Sequence, residues 1–210
     1  GQPVDRRDVY THGGLWLTLD LLKRDDQPVG YRAKHNSSLV DLSQVDAHDP
    51  EDFWETVVPE VGNRVVLEPE DFYLLLSAEA VRVPPEYAAE MTAFDPAGGE
   101  VRTHYAGFFD PGFGHDPTGL FSHGSRAALE IRAHDVPFAV DHLQRVCSLR
   151  FERMAGAPTS LYGAARGSHY QGQMSTLSKH FRLADRPDQT TFLRARDPEA
   201  PSEPLRGSPV

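Results

Sequence analysis

Three short segments carry the residue types that could do chemistry. The first is His104-Tyr105-Ala106-Gly107-Phe108-Phe109-Asp110-Pro111-Gly112-Phe113-Gly114, a strand that runs into an acid, a proline and a glycine turn. The second is Ala128-Leu129-Glu130-Ile131-Arg132. Leu129 and Ile131 face one way along a strand, so Glu130 faces the other. In a closed barrel that direction sets a carboxylate in a wall pocket, where burial raises its pKa and suits it to general-base work. A lone strand carboxylate is more often a solvated residue, so Glu130 gains weight only from its company. The third segment is His169-Tyr170-Gln171-Gly172-Gln173, followed by Thr176-Leu177-Ser178-Lys179. Its tyrosine can stack on a base and its lysine can meet a phosphate, although an ordinary surface loop has the same composition.

Other chemistries lack their residues. Ten histidines stand at 12, 35, 48, 104, 115, 123, 134, 142, 169 and 180. No pair has the His-x-x-x-His spacing that sets two metal ligands on one helical face. Surface or hydrogen-bonded histidines are the simpler account of them. Cys147 is the only cysteine, which rules out an intrachain disulfide framework and the Cys-rich zinc sites. No metal site is expected. Phosphate-cradling and dinucleotide-binding glycine loops are absent, as is a Gly-x-Ser-x-Gly elbow.

The elements that must hold these segments read as strands. The chain has 210 residues, 39% of them apolar, with 17 glycines and 17 prolines punctuating short apolar runs. Runs are expected at Leu15–Leu21, Val29–Lys34, Ser38–Val45, Arg64–Leu67, Phe72–Ser77, Ala80–Val83, Val101–Phe109, Arg126–Ala133, Val136–Val140 and Arg145–Met154. Glu86–Thr92 reads as a short helix or a strand. Asp49, with Pro50 behind it, reads as the cap of a helical turn. This spacing predicts an all-β sandwich or barrel with short helical turns. Residues 1–10 read as a linker, 11–183 as one domain, and the proline-rich 184–210 as a disordered tail.

The net charge of −10 disfavours a general nucleic-acid binder. No apolar run is long enough for a membrane-spanning helix, and no signal peptide is visible. A cytoplasmic, reducing setting is expected. Gly1 in place of Met suggests a processed chain or a piece of a longer one.

Taken in order, the segments resemble the dCTP deaminase branch of the dUTPase-like superfamily. Phe109-Asp110-Pro111-Gly112-Phe113-Gly114 is similar to the family's Ile-Asp-Pro-Gly-Trp-x-Gly, and Leu129-Glu130 to its Leu-Glu. Val146-Cys147-Ser148-Leu149-Arg150-Phe151 looks like its last strand. His169-Tyr170-Gln171-Gly172-Gln173 with Ser178-Lys179 looks like its closing Lys-Tyr-x-x-Gln and Ser-Arg. Upstream, Leu74 to Pro84 and Leu17-Thr18-Leu19-Asp20-Leu21 resemble two further motifs. Each motif alone is weak, and the order gives them weight. The closest likeness is to the second domain of a long bacterial form that carries two such domains in tandem, through Val29-Gly30-Tyr31-Arg32-Ala33-Lys34 and Asp52-Phe53-Trp54-Glu55.

The resemblance implies a distorted β-barrel of the β-clip type, in a homotrimer or a pseudo-trimer with a second similar domain, with sites between subunits. It implies hydrolytic deamination of dCTP to dUTP and ammonia, with magnesium riding on the triphosphate and no zinc. Zinc deaminases use His/Cys-x-Glu and Pro-Cys-x-x-Cys sets that this chain lacks. Transferred residue by residue, Glu130 is the general acid and base. Backbone groups near Tyr105 and Ala106 hold the pyrimidine edge, and Asp110 lies near the sugar. Tyr170 and Gln173 close over the nucleotide, with Ser178 and Lys179 on phosphate. The family's Gly-Arg-Ser-Ser-x-x-x-Arg phosphate grip is missing: residues 92–100 supply Asp95 and Glu100 instead, with only Arg102 nearby. Another domain could supply that grip. The alternatives are a non-catalytic scaffold or half-site domain, or a dUTP pyrophosphatase with Asp110 as base.

Overall fold

The computed structural model describes residues 14–24, 27–93, 101–103, 107–115, 124–163 and 167–183. The expected linker and tail lie outside this set. The all-β class is what the chain adopts. Among the described residues eleven strands run in order: β1 (Leu15–Thr18), β2 (Gly30–Ala33), β3 (Trp54–Val57), β4 (Arg64–Leu67), β5 (Tyr73–Val81), β6 (Tyr87–Ala93), β7 (Val101–Thr103), β8 (Phe108–Phe109), β9 (Ser125–Ala133), β10 (Phe138–Asp141) and β11 (Arg145–Arg153). One helix is assigned among the described residues, α1 (Pro50–Phe53). The Asp49 side chain accepts from the Glu51 N–H at its start, as the sequence predicts.

The strands pair antiparallel in a four-stranded sheet ordered β1-β11-β6-β8, a five-stranded sheet ordered β3-β2-β5-β9-β7, and a β10-β4 ribbon. No sheet closes on itself among the described residues. Leu17, Leu149 and Met91 from the first sheet, Leu75, Leu129 and Ile131 from the second, and Val65, Leu67 and Val140 from the ribbon all enter one core. A smaller cluster of Phe53, Leu74, Leu177 and Phe181 lies on the opposite face of the five-stranded sheet.

Three sequence expectations change or are settled. Ser38–Val45 forms no strand: Leu39 and Leu42 are exposed, and Asp41 accepts from the Ser43 N–H, which favours a turn. Val101–Phe109 is not one strand, because β7 joins β9 while β8 joins β6 in the other sheet. Residues 86–92 resolve as strand, since Ala89 and Met91 alternate inward against β11.

Candidate active site

The candidate site is built on β9. Ser125, Ala127, Leu129, Ile131 and Ala133 are buried, while Glu130 and Arg132 are exposed on the opposite face. Strand alternation alone produces this split. Registry then places Glu130 in a row. It lies opposite Leu74 on β5, and Leu74 lies opposite Tyr31 on β2. Arg132 is opposite Arg102 on β7, and its guanidinium lies 5.1 Å from the centroid of the Phe72 ring. Glu130 therefore stands on an open outer face and not in a buried wall pocket, which corrects the expectation of burial. The sheets leave that face outside the main core instead of wrapping it.

A C-terminal arm, residues 168–183, crosses the same face. It is tied to the start of β9 by backbone and side chain together. The Arg126 N–H donates to the Gln173 carbonyl at 2.9 Å, and the Gln173 amide donates back to the Arg126 carbonyl at 3.2 Å. The Gly172 N–H donates to Ser125 Oγ at 2.7 Å. Further on, Leu177 packs in the cluster that contains Leu74, the residue directly opposite Glu130. The arm thus starts beside Arg126 and reaches the cluster around Leu74, whose cross-strand partner is Glu130. Its far end is held by the 44–49 loop: the Asp46 N–H donates to the Lys179 carbonyl, and His48 forms a parallel bridge with Phe181.

The Asp110 turn is tied to the same arm. Gln171 is buried; its Oε1 accepts from the Gly114 N–H at 3.0 Å, and its amide donates to the carbonyls of Gly112 and His115. Gly114 has φ +65°, and a Cβ there would lie 2.1 Å from the Val81 carbonyl oxygen, so only glycine fits. Asp110 itself is exposed at the head of this turn. Burial pushes the phenol of Tyr162 up to about 12, where its ring stacks edge-on against Phe113.

Behind the arm lies a buried polar knot. β5 bulges between Leu76 and Ala80 opposite β9, which frees backbone groups from the ladder. Arg126 donates to the Ser77 carbonyl, and the Ala127 N–H donates to Ser77 Oγ. The Glu79 carboxylate accepts from both the N–H and the hydroxyl of Thr18. The Arg126 guanidinium pairs with Asp20 at 2.6 Å, with side chains only 12% and 6% exposed. Arg24 closes on Asp20 from outside at 2.9 Å. Burial alone would raise the Asp20 pKa, but the hydrogen bonds from Arg24 and Arg126 outweigh it and hold the carboxyl below its ordinary value.

The anticipated residues divide accordingly. Glu130, Gln173, Ser178 and Lys179 belong to β9 and the arm crossing it. Tyr170 packs against the main core and its hydroxyl accepts from the Lys179 N–H at 3.5 Å, so it braces the arm. The Gln173 amide is engaged by the Arg126 carbonyl. Asp110 joins them through Gln171, and Arg102 through its register with Arg132. Tyr105 and Ala106 lie outside the described residues. The sequence reading missed Gln171, Ser125 and the Asp20–Arg126 pair. Asp20 lay inside a recognised motif, but nothing in the sequence pairs it with Arg126, 106 positions away.

Among the described residues, no three His, Cys, Asp or Glu side chains gather so that they could hold a metal ion. Nor is any helix there long and apolar enough to cross a membrane.

The architecture is a dUTPase-like β fold. It superposes on the crystal structure of 2'-deoxycytidine 5'-triphosphate deaminase from Agrobacterium tumefaciens with a TM-score of 0.61 and 49% identity, covering 69% of this chain and 42% of that one. The family model of the 2'-deoxycytidine 5'-triphosphate deaminase (DCD) C-terminal domain matches residues 3–181, and the chain belongs to that family. A Parafrankia protein named "dCTP deaminase, dUMP-forming" is 32% identical over 203 residues, covering 94% of this chain and 89% of its own. A Halobacterium salinarum protein of the same name is 35% identical over 122 residues, and the match spans 57% of its length.

Proposed function

We propose that the chain catalyses hydrolytic deamination of dCTP, with Glu130 moving the protons and no zinc. The observation that carries this is the position of Glu130, exposed on β9 opposite Leu74, which packs with Leu177 of the arm. A pyrimidine lying between that arm and the strand would present its C4 edge to the carboxylate. Glu130 takes a proton from water and delivers it to N3 as the hydroxide adds to C4. The proton of the new C4 hydroxyl then passes through Glu130 to the exocyclic amine, the C4–N bond breaks, ammonia leaves and the C4 carbonyl forms. One dCTP and one water give dUTP and ammonia. Magnesium enters with the substrate triphosphate.

The open face around Glu130 also suits a second subunit or a second similar domain that completes the pocket, as a homotrimer or a pseudo-trimer would. The names of the Parafrankia and Halobacterium relatives favour a second reading of the product. In that reading a further hydrolysis carries dUTP to dUMP, with Asp110 as the base that activates water against phosphorus.

The test is ammonia release from dCTP plus magnesium, using this chain and Glu130→Gln, with products separated by anion exchange. Activity that disappears in the variant and survives a zinc-specific chelator supports the reading. A folded native chain with no turnover would sink it in favour of a scaffold or half-site domain. Appearance of dUMP with pyrophosphate would select the second product.

A further inference from the structure

The arm that carries Gln173, Ser178 and Lys179 is fastened at both ends by the chain's own bonds. Its near end is tied to Ser125 and Arg126 at the start of β9. Residues 41–49, part of which alternates like a strand in sequence, hold its far end. The Asp46 N–H donates to the Lys179 carbonyl at 2.9 Å. The Ala47 and His48 N–H groups both donate to the His180 carbonyl, at 3.1 and 3.0 Å. The Arg182 N–H donates back to the His48 carbonyl at 2.9 Å. His180 Nδ1 lies 2.6 Å from the Gln44 carbonyl, which can only accept, so this nitrogen carries a proton. The His48 ring packs against Phe53 and Phe181.

The loop is braced within itself. The Asp41 carboxylate accepts from the N–H and hydroxyl of Ser43 and from the Gln44 amide. The Asp41 N–H donates to His48 Nε2 at 3.1 Å, which closes the turn from 41 to 48. Asp46 has φ +52°, an angle that aspartate adopts more readily than most residues and that proline cannot adopt. Leu39, Leu42 and Val45 are exposed, so burial of these apolar side chains does not account for the loop's order. Its backbone is spent on the arm.

We propose that residues 41–49 form a latch that keeps the far end of the arm ordered without nucleotide, with His48 and the Asp46 backbone as its positioning groups. The effect on dCTP rests on the deaminase reading of the site, whereas the latch itself does not. A loose chain end loses conformational entropy when it closes on a ligand, and affinity falls with the fraction of molecules that are open. Latching removes that cost. Glu130 is exposed with the arm in place, so a nucleotide reaches it without the latch opening. The latch therefore acts on affinity and not on the proton transfers.

The experiment reads the latch and the reaction separately. Hydrogen exchange of the Phe181 and Arg182 amides, bonded to the Ser178 and His48 carbonyls, is followed in the full chain without nucleotide and with dCTP. KM and kcat for ammonia release are measured alongside. The variants are Asp46→Pro, which removes the donor and cannot adopt the backbone angle, and Asp46→Gly, which keeps both. In the native chain both amides should be protected without nucleotide. Asp46→Pro should speed their exchange by roughly 10-fold or more, and dCTP should restore part of the protection. KM should rise about 3- to 30-fold, with kcat changing less than about threefold. Asp46→Gly should stay within about threefold of the native chain in exchange and in KM. Unprotected amides in the native chain overturn the inference, as does an unchanged exchange rate or KM in Asp46→Pro. Equal effects of the glycine and proline variants overturn it too, since the side chain and not the backbone would then be responsible. Protection that is lost in Asp46→Pro, in a chain that never turns over dCTP, keeps the latch and overturns the deaminase reading. Should Asp46→Pro fail to fold, His48→Ala decides. It removes the acceptor of the Asp41 N–H and the ring against Phe181, and unchanged exchange and KM there overturn the inference.

Discussion

Arg126 and Glu130 sit four residues apart on β9, yet their surroundings are opposite. Arg126 is sealed between Asp20, the Ser77 carbonyl and the Gln173 arm. Glu130 faces solvent on the outer face of the sheet, opposite Leu74. The first half of the strand uses its polar groups to hold the bulge, the Asp110 turn and the arm in place. The second half leaves Glu130 and Arg132 without an ion pair among the described residues, with Arg132 lying over the Phe72 ring. A buried, fully partnered charge fixes geometry, while an exposed charge on a rigid strand is available to a ligand.

Glu130→Gln should produce the largest functional effect. Deamination is expected to fall at least 10²- to 10⁴-fold, because the amide cannot shuttle a proton. The melting temperature should stay within about 2 °C, since surface changes are close to neutral. A variant that loses stability instead would mean that the two halves of β9 are not divided in this way.

Asp20→Asn should do the reverse. It leaves the Arg126 charge buried without its counter-ion, at an expected cost of about 3–5 kcal/mol read from urea unfolding. The pH dependence has a definite sign. The folded pKa of Asp20 is held below the unfolded value near 4, so the unfolded chain binds more protons as the pH drops. The stabilisation is complete above that ordinary value and is lost as the pH falls through the depressed one. The gap between native protein and Asp20→Asn should therefore narrow only below about pH 4.

Gln171→Ala tests the link between the halves. It removes two donated hydrogen bonds and one accepted bond within the Asp110 turn. A loss of about 2–3 kcal/mol is expected. KM for dCTP should rise more than kcat falls, because the turn and the arm lose their common anchor.

How much of this was legible depended on the range of the signal. Alternation along β9 gave the direction of Glu130, since that period is local. Asp49 and Pro50 announced α1 for the same reason. The outward set of Glu130 as an exposed group was not legible, because burial depends on which sheet covers which face. The split of 101–109 between two sheets was equally hidden, for both halves are good strands taken alone. The roles of Gln171 and Arg126 are set by partners more than 50 positions distant. A glutamine between a tyrosine and a glycine carries no signal of its own until the turn it fastens is in view.

The smallest effect concerns Cys147, and it sharpens the comparison by reporting on the buried side alone. The thiol is fully buried between β1 and β6, and burial, with a further push from the Glu79 carboxylate, raises its pKa to about 12. At pH 8 almost no thiolate is present, so alkylation by iodoacetamide must wait for the sheet to open. Labelling of the native chain should be slower than that of the urea-unfolded chain by about 10³-fold or more. Asp20→Asn lowers the opening free energy and should speed labelling by roughly 10²- to 10⁴-fold, as its lost 3–5 kcal/mol predicts. Glu130→Gln should leave the rate unchanged within about twofold. Equal acceleration by both variants would show that the open half of β9 also holds the fold together, and that Glu130 owes its exposure to chance and not to use.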